Sequence, residues 1–166
     1  MIKIIRRDYF IVYIVTALSI SSFKYNQSEE NKFVQWFFEN TKISNTLQIE
    51  TINIDSSDIN HLFEIPGSLK NRKLILKQIK DNNEYFFKYG PLKNVRVISK
   101  EKINEINKIN TIDFLRMTKP VFLSKDLIWI KVEHFCGNLC GGGNAYVYKK
   151  KETGYELIDL RMIWIS

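Results

Sequence analysis

Apolar residues in the first two thirds of the chain recur mostly at the spacing of helices. Phe33, Trp36 and Phe37 stand at i, i+3 and i+4 within residues 26–40, so they share one side of a predicted amphipathic helix. An aromatic row at this spacing is typical of a helix face that packs on a core. Polar capping residues begin three further helical patterns, at Asp55, Ser68 and Ser99. The pattern after Ser68 places Leu69, Ile75, Leu76 and Ile79 on its apolar side.

The last third of the chain has the period of β-strands with short connections. Four strands are predicted, at 111–123, 127–135, 145–150 and 155–165. Because such short connections join antiparallel neighbours, we expect the four strands to form a meander. Pro120 lies inside the first of them and predicts an edge or a bulge there. An earlier short strand is predicted at 47–54.

The order of these elements predicts an α+β fold, with N-terminal helices packed on a C-terminal antiparallel four-stranded meander. A single domain is expected over residues 23–166, which is long enough to bury a core without metals or many disulfides. The last strand is expected to pack on the helices through one face. Ile158, Leu160, Met162 and Trp164 alternate along the strand and would form that face.

The first 22 residues have the pattern of a secretory signal peptide or an N-terminal anchor. Lys3, Arg6 and Arg7 precede an uncharged apolar run of twelve residues, 9–20, and small residues follow it. A helix of that length covers about 18 Å, well short of the ~30 Å hydrocarbon core of a bilayer. Since basic residues precede the run, everything after it is expected outside the cytoplasm. A buried N-terminal helix or strand is the structural alternative.

Export predicts a periplasmic or extracellular location, with membrane attachment only through an uncleaved N-terminal segment. The two cysteines of the chain are Cys136 and Cys140, so no cysteine follows the apolar run to carry a lipid. A pair of cysteines outside the cytoplasm normally oxidises, because that compartment does not keep thiols reduced.

The net charge of +7, from 25 Lys and Arg against 18 Asp and Glu, on its own favours nucleic acid or an anionic membrane as partner. However, 19 of the basic residues are Lys, and they accompany 24 Ile and 15 Asn. That profile is typical of AT-rich coding, which raises the Lys content without selection for a partner. The densest basic cluster is only Lys149–Lys151. We therefore predict no nucleic-acid binding.

One motif concentrates the candidate chemistry, the segment from Cys136 to Asn144. Four of the seven glycines and both cysteines lie in these nine residues, between two predicted strands. Glycines concentrated there indicate a backbone with positive φ or the close approach of another group. Three residues separate the cysteines, which allows Cα atoms within about 4.4–6.8 Å, and we predict a Cys136–Cys140 disulfide. The candidate interaction loop comprises Gly137, Asn138, Leu139, Gly141, Gly142, Gly143 and Asn144.

Three other interpretations of this motif stay open. His134, Cys136 and Cys140 offer soft metal ligands, although structural zinc needs four and the other histidine, His61, is distant in sequence. A hydrolase or thiol enzyme would use Cys136 or Cys140 with His134 or His61 as base, which a disulfide would abolish. A phosphate-binding glycine loop needs a following helix N-terminus, whereas a strand follows here. His134 alternates with Ile128 and Ile130, which favours the core side of its strand.

The last third, roughly residues 111–166, resembles an uncharacterised family of small exported bacterial proteins. The shared pattern is a strand, Cys-Gly-x-Leu-Cys-Gly-x-Gly, a strand, a Lys/Gly turn and a closing strand. Here these are Cys136–Gly143, Lys150–Gly154 and the ending Trp164–Ser166. The resemblance implies no catalytic residues. The order of helices and meander is also similar, in topology alone, to the cone-shaped folds of the nuclear transport factor 2 type.

The expected function is a non-enzymatic exported binding domain with a disulfide-closed Cys/Gly loop. The loop would serve as an interaction or rigidity element, and the expected partner class is a protein. We assign no catalytic residue, no metal and no cofactor from the sequence.

Overall fold

The computed structural model describes most of the chain after its first 26 residues. The described residues are 27–41, 46–48, 52–83, 92, 95–108, 112–137 and 140–166. The helices are α1 (Gln27–Asn40), α2 (Ser56–Glu64), α3 (Arg72–Asn83) and α4 (Lys100–Asn107), with a 3-10 turn at Ser68–Asn71. The strands are β1 (Thr46–Gln48), β2 (Arg96–Ile98), β3 (Phe114–Met117), β4 (Val121–Phe122), β5 (Leu127–Phe135), β6 (Gly141–Lys151) and β7 (Gly154–Ile165). The predicted leader, 1–22, and the loop residues Asn138 and Leu139 lie outside the described residues.

The seven described strands form one sheet in the order β2-β1-β3-β5-β6-β7, and β4 pairs with β5 on the same side as β3. β5, β6 and β7 follow one another as antiparallel hairpins, so the predicted meander is present. β1 covers only the start of the predicted 47–54 strand, since residues 52–54 are not in a strand, and it pairs in parallel with both β2 and β3. The α+β class is confirmed, with a short parallel part added at one edge of the sheet.

Helices cover both faces of the sheet. α1 lies on one face, where Phe33 and Phe37 pack with Leu115, Ile130 and Tyr148. α2 and α3 lie on the other face, and we call the two the α1 face and the α2/α3 face. Because alternate strand residues point to opposite faces, β5 is buried along most of its length. The core of the α2/α3 face includes Leu62, Ile75, Ile79, Trp129 and Val147.

The strand predicted at 111–123 is two strands, β3 and β4, interrupted at Thr118–Pro120. Side chains replace the missing ladder bonds there: the Thr118 hydroxyl accepts the Lys131 N–H at 3.0 Å. Gln78 of α3 then covers the outer edge of β4, since its amide both donates to and accepts from the backbone of Phe122. The edge predicted at Pro120 is present, since the following strand β4 pairs only with β5 among the described strands. Proline has no N–H for a ladder.

The expectation that one face of β7 packs on the helices is wrong. Ile158, Leu160 and Met162 are 48%, 54% and 65% exposed. The pairing of β6 with β7 shifts register twice, leaving Ile158 and Ile163 as extra residues on β7. Each shift reverses the side-chain alternation that follows it. Trp164, opposite Gly143, consequently lies on the α2/α3 face and not beside Leu160.

Two of the three predicted capping residues begin their helices. Asp55 caps α2 in a reciprocal box, in which the Asp58 N–H donates to Asp55 at 2.9 Å and the Asp55 N–H donates back at 3.1 Å. The Ser99 hydroxyl accepts a backbone N–H at the start of α4. Ser68 instead donates its hydroxyl to a carbonyl of the preceding turn. No helix in the described part of the chain is long and apolar enough to cross a membrane.

The apolar side predicted for the segment after Ser68 is only half right. Ile75 and Ile79 are buried, but Leu69 and Leu76 are 62% and 40% exposed. Leu69 belongs to the 3-10 turn, whose tighter period does not continue the buried side of α3. The leucines therefore face away from the sheet that Ile75 and Ile79 contact.

Candidate functional site

The two cysteines form a disulfide across the connection between β5 and β6. Their Cα atoms are 5.2 Å apart, and the Cys136 N–H donates to the Cys140 carbonyl at 3.1 Å. Gly137 has a φ of 124°, in the region that glycine adopts without strain. The predicted disulfide is present, and it ties the end of β5 to the start of β6.

Four members of the candidate interaction loop, Gly141 to Asn144, belong to strand β6. A Cβ on Gly143 would lie 2.7 Å from Cδ1 of Trp164, and one on Gly141 would lie 3.1 Å from the same indole. These two glycines leave the space in which the Trp164 ring crosses β6. Gly141 and Gly143 are therefore explained by close packing of Trp164, the second of the two reasons that a glycine cluster indicates.

A buried acid holds the Trp164 ring in place. The indole N–H donates to Glu133 Oε1 at 3.2 Å, and Arg116 donates to Glu133 Oε2 at 2.6 Å. The guanidinium of Arg116 lies 4.8 Å from the centroid of the Phe135 ring, which stacks on Phe114. Side chains of the chain itself therefore fill this end of the α2/α3 face. Sequence reasoning missed this cluster, although a Gly-x-Gly opposite a tryptophan in the next hairpin strand could have indicated it.

The α1 face has an open cleft of about 310 Å³ at the disulfide end of the sheet. Its outer wall is apolar and exposed, since Met162 and Ile165 are 65% and 75% accessible. Its volume lies at the lower end of the range for small-ligand sites, about 300–1,000 Å³. The disulfide gives the cleft a covalently closed rim. The lining includes His134, Cys136, Cys140, Asn144, Met162 and Ile165.

The two histidines lie on opposite faces of the sheet. His134 is on the α1 face with Ile130, as predicted, but it is half-buried and lines the cleft. His61 is on α2, with Nε2 3.4 Å from Asp159 Oδ2. Both sulfurs are in the disulfide, so no thiolate stands beside either ring. Within the described residues, no three His, Cys, Asp or Glu side chains are grouped to hold a metal ion.

A smaller cavity of about 80 Å³ lies beside α2. The buried Lys131 ammonium donates to Asp58 at 2.9 Å and lies 3.7 Å from Asp55. The backbone N–H of Asp58 lowers the pKa of Asp55, and burial acts in the opposite direction. Since both carboxylates cap α2 and pair with Lys131, this cluster anchors the helix on the sheet.

Two tyrosines of β6 lie on the α1 face in contact with α1. Burial raises the pKa of Tyr148 to about 12 and also raises the pKa of Tyr146, against a hydrogen bond with Asn144 that lowers it. The Phe37 ring of α1 contacts both tyrosines. Its centroid lies 6.3 Å from the ring centroid of Tyr146 and 6.2 Å from that of Tyr148. Both tyrosines are therefore neutral at physiological pH.

No protein-family model, curated protein or solved structure matches the chain. The class of protein is therefore defined by geometry alone: an α+β domain whose hairpin disulfide borders an open cleft. The similarity of residues 111–166 to an exported family, and of the topology to cone-shaped folds, stays a prediction.

Proposed function

We propose that the protein is an exported, non-enzymatic binding domain that offers its disulfide-closed loop and the adjoining cleft to a protein partner. The observation that carries the proposal is the Cys136–Cys140 disulfide at the rim of the cleft. For so short a connection, the chain-entropy model gives only about 2 kcal/mol of stabilisation. The main effect of the disulfide is therefore to fix the shape of the loop, which lowers the entropy cost of binding.

Two observations support export. Residues 1–22 have the charge and hydropathy pattern of a secretory leader. Structural disulfides persist in oxidising compartments and are rare in the cytosol. The proposed location is the periplasm or the medium, with an uncleaved leader as the alternative anchor.

Lysine pairing supports a protein partner over nucleic acid. In the basic run at the β6–β7 turn, Lys150 contacts Glu29 and lowers the pKa of that carboxyl, and Lys151 lies 2.6 Å from Glu156. Lysines that are already paired contribute less to the binding of phosphates. We expect weak retention on a polyanion column at modest salt. Strong retention that falls steeply with salt would contradict this choice of partner.

A photoreactive residue at Asn138, between the two cysteines, tests the binding proposal in living cells. We expect one discrete adduct with a second protein in the exported fraction. The matched control is Lys125, which is exposed in the turn before β5 at the other end of that strand. Failure to form an adduct at Asn138, or the same adducts at both positions, would contradict the proposal.

The alternative function, a hydrolase or thiol enzyme, is favoured by one observation: His134 and Cys136 line the same cleft. Its chemistry needs a free thiolate beside a base. We expect no free thiol when the exported protein is alkylated without reductant and its molecular mass is measured by mass spectrometry. Two free thiols, one of them alkylated rapidly near neutral pH, would overturn our proposal and support the enzyme.

A further inference from the structure

β7 is the edge strand of the sheet and is twelve residues long. It pairs with β6 on one side, and no strand in the described part of the chain pairs with its other side. An edge strand of this length presents a row of backbone groups that another strand can pair with. Lysine and proline, which commonly protect such edges, do not occur between residues 154 and 165, and the edge carries instead three charged residues and two register shifts.

The same strand carries a row of exposed apolar side chains. Leu157, Leu160, Met162 and Ile165 are 45%, 54%, 65% and 75% exposed. Their partners across the ladder are Tyr148, Tyr146, Asn144 and Gly142, so all four lie on the α1 face. α1 meets β7 at Tyr155, whose ring lies 5.0 Å from those of Phe33 and Trp36. The apolar row continues past that contact along the edge.

We propose that β7 pairs antiparallel with β7 of a second copy of this chain, with Leu160 opposite Leu160 across a two-fold axis. In this register Asp159 of each chain stands opposite Arg161 of the other. The two pairs have opposite charges and lie on the α2/α3 face, where Val147 and Ala145 are the ladder partners of Asp159 and Arg161. Opposite charges directly across a ladder stabilise the pairing of strands.

Charge selects this register from its neighbours. A two-fold axis at Asp159 or at Arg161 would place that residue opposite itself, so like charges would face each other across the ladder. An axis between two residues would pair side chains of opposite faces, which strand geometry does not allow. With the axis at Leu160, faces match at the central residues 159–161 and where Tyr155 meets Ile165. The ladder is irregular in between, because Leu157 of one copy stands opposite the extra residue Ile163 of the other, which packs on the α2/α3 face. The self-complementary pattern is what an isologous dimer requires.

The two charged residues are accessible for such pairing. The side chains of Asp159 and Arg161 are 52% and 48% exposed. Within the chain, Asp159 lies 3.4 Å from His61 and Arg161 lies 3.9 Å from Glu64. On pairing, His61 and Asp159 of one copy and Arg161 and Glu64 of the other would form a network of four side chains on each side of the axis. The second copy would also bring Tyr155 opposite Ile165, so each copy would add a side chain at the edge of the other's cleft.

Oligomeric state tests the proposal. The protein purified after expression of the full chain is measured by light scattering on a sizing column, from about 1 to 200 μM. We expect dimers that dissociate on dilution, because pairing through one strand edge buries little surface. Stable interfaces begin at about 1,000 Å² of total buried area. Mass spectrometry of the same sample shows whether residues 1–22 are present.

Charge reversal gives the decisive variants. Asp159→Arg and Arg161→Asp each place like charges opposite each other and are expected to weaken the dimer at least about tenfold. The double variant carrying both changes restores opposite charges and is expected to dimerise again. Glu152→Lys, an exposed change in the β6–β7 turn, is the control and should dimerise like the parent. Leu160→Lys, which places two ammonium groups at the axis, serves as a second disrupting variant if a reversal prevents folding.

Three results would overturn the proposal. The first is a monomeric parent at the highest concentration, whether residues 1–22 are retained or removed. The second is single reversals that fold and dimerise as the parent does. The third is a folded double variant that stays monomeric. Swapping the charges of Asp159 and Arg161 leaves opposite charges facing each other across the axis, so the proposed pairing requires this variant to dimerise. Circular dichroism and thermal melting establish that each variant is folded.

Discussion

Gly143 has a steric role that no other residue can fill without moving Trp164. A methyl group at this position would collide with the indole, which Glu133 holds through a hydrogen bond of 3.2 Å. We expect Gly143→Ala to lower the free energy of unfolding by about 1–3 kcal/mol, the usual cost of overpacking. Urea unfolding followed by tryptophan fluorescence measures the change.

Gly142 provides the matched control for that prediction. The nearest atom to a Cβ at Gly142 is the Trp164 carbonyl oxygen, at an ordinary contact distance of 3.4 Å. Gly142→Ala should therefore change the free energy of unfolding by no more than about 0.5 kcal/mol. Equal losses for Gly142→Ala and Gly143→Ala would show that contact with the indole does not decide the effect.

Local features of single residues could be predicted from the sequence, and long-range partners could not. The disulfide followed from two cysteines separated by three residues, and the Asp55 cap from an acidic residue before an apolar period. The contact of Trp164 with Gly143 depends on the pairing of β6 with β7, which shifts register twice. A register shift is a tertiary property, so the sequence pattern alone assigns Trp164 to the wrong face.

At the scale of elements, the start of α2 depends on the reciprocal cap between Asp55 and Asp58. Replacing Asp55 with Ala removes a side-chain acceptor from the helix start, and we expect a loss of about 1 kcal/mol at neutral pH. Ser56→Ala, at an exposed neighbouring position, is the control and should be near neutral. Urea midpoints of both variants at neutral pH measure the difference.

The same cap predicts a dependence on pH. The Asp58 N–H lowers the pKa of Asp55 below its ordinary value of 3.8. A lowered pKa in the folded protein means stability that is complete above the unfolded pKa and is lost as pH falls through the folded pKa. Asp55→Ala should therefore cost less in strong acid than at neutral pH. An equal cost at both would contradict a role for the ionised carboxylate.

β7 shows why the period of an element is not enough to place it. The alternation of Ile158, Leu160 and Met162 predicted a strand, and a strand is present. The prediction that helices cover this strand is wrong. Helix α1 contacts β7 at Tyr155, and the apolar row beyond that contact is exposed. Periodicity identifies an apolar face, whereas its cover depends on the positions of other elements or of another molecule.

At the scale of the whole molecule, the sequence pattern also could not predict which helices cover which face of the sheet. Helical periodicity predicted helices that pack on a meander, and this is confirmed. It could not say that α1 covers one face while α2 and α3 cover the other. β5 is buried on both faces although Lys131 and Glu133 alternate with its apolar residues, because those two charged side chains pair with Asp58 and Arg116.

The disulfide should contribute little to the stability of the whole domain. Replacing Cys136 and Cys140 with Ser opens a connection of few residues, so we expect a loss of no more than about 2 kcal/mol with the fold retained. Urea unfolding of this double variant, compared with the oxidised parent, measures the loss, and the second comparison is between the variant and the parent in reductant. The two samples should agree. A double variant that does not fold would show that the disulfide maintains the sheet and not only the loop.

The leader gives the last prediction, that a chain beginning at Phe23 folds as the exported protein does. If residues 9–20 were instead a core element, deleting them would remove several large apolar side chains, each worth about 1.5–3 kcal/mol when buried. Their sum would exceed the whole stability of an ordinary domain, about 5–15 kcal/mol. Cooperative thermal melting of the shortened chain, with the midpoint of the exported protein, is therefore the expected result. An insoluble or molten shortened chain, beside a full chain that is soluble in the cytoplasm, would make the leader structural and remove the case for export.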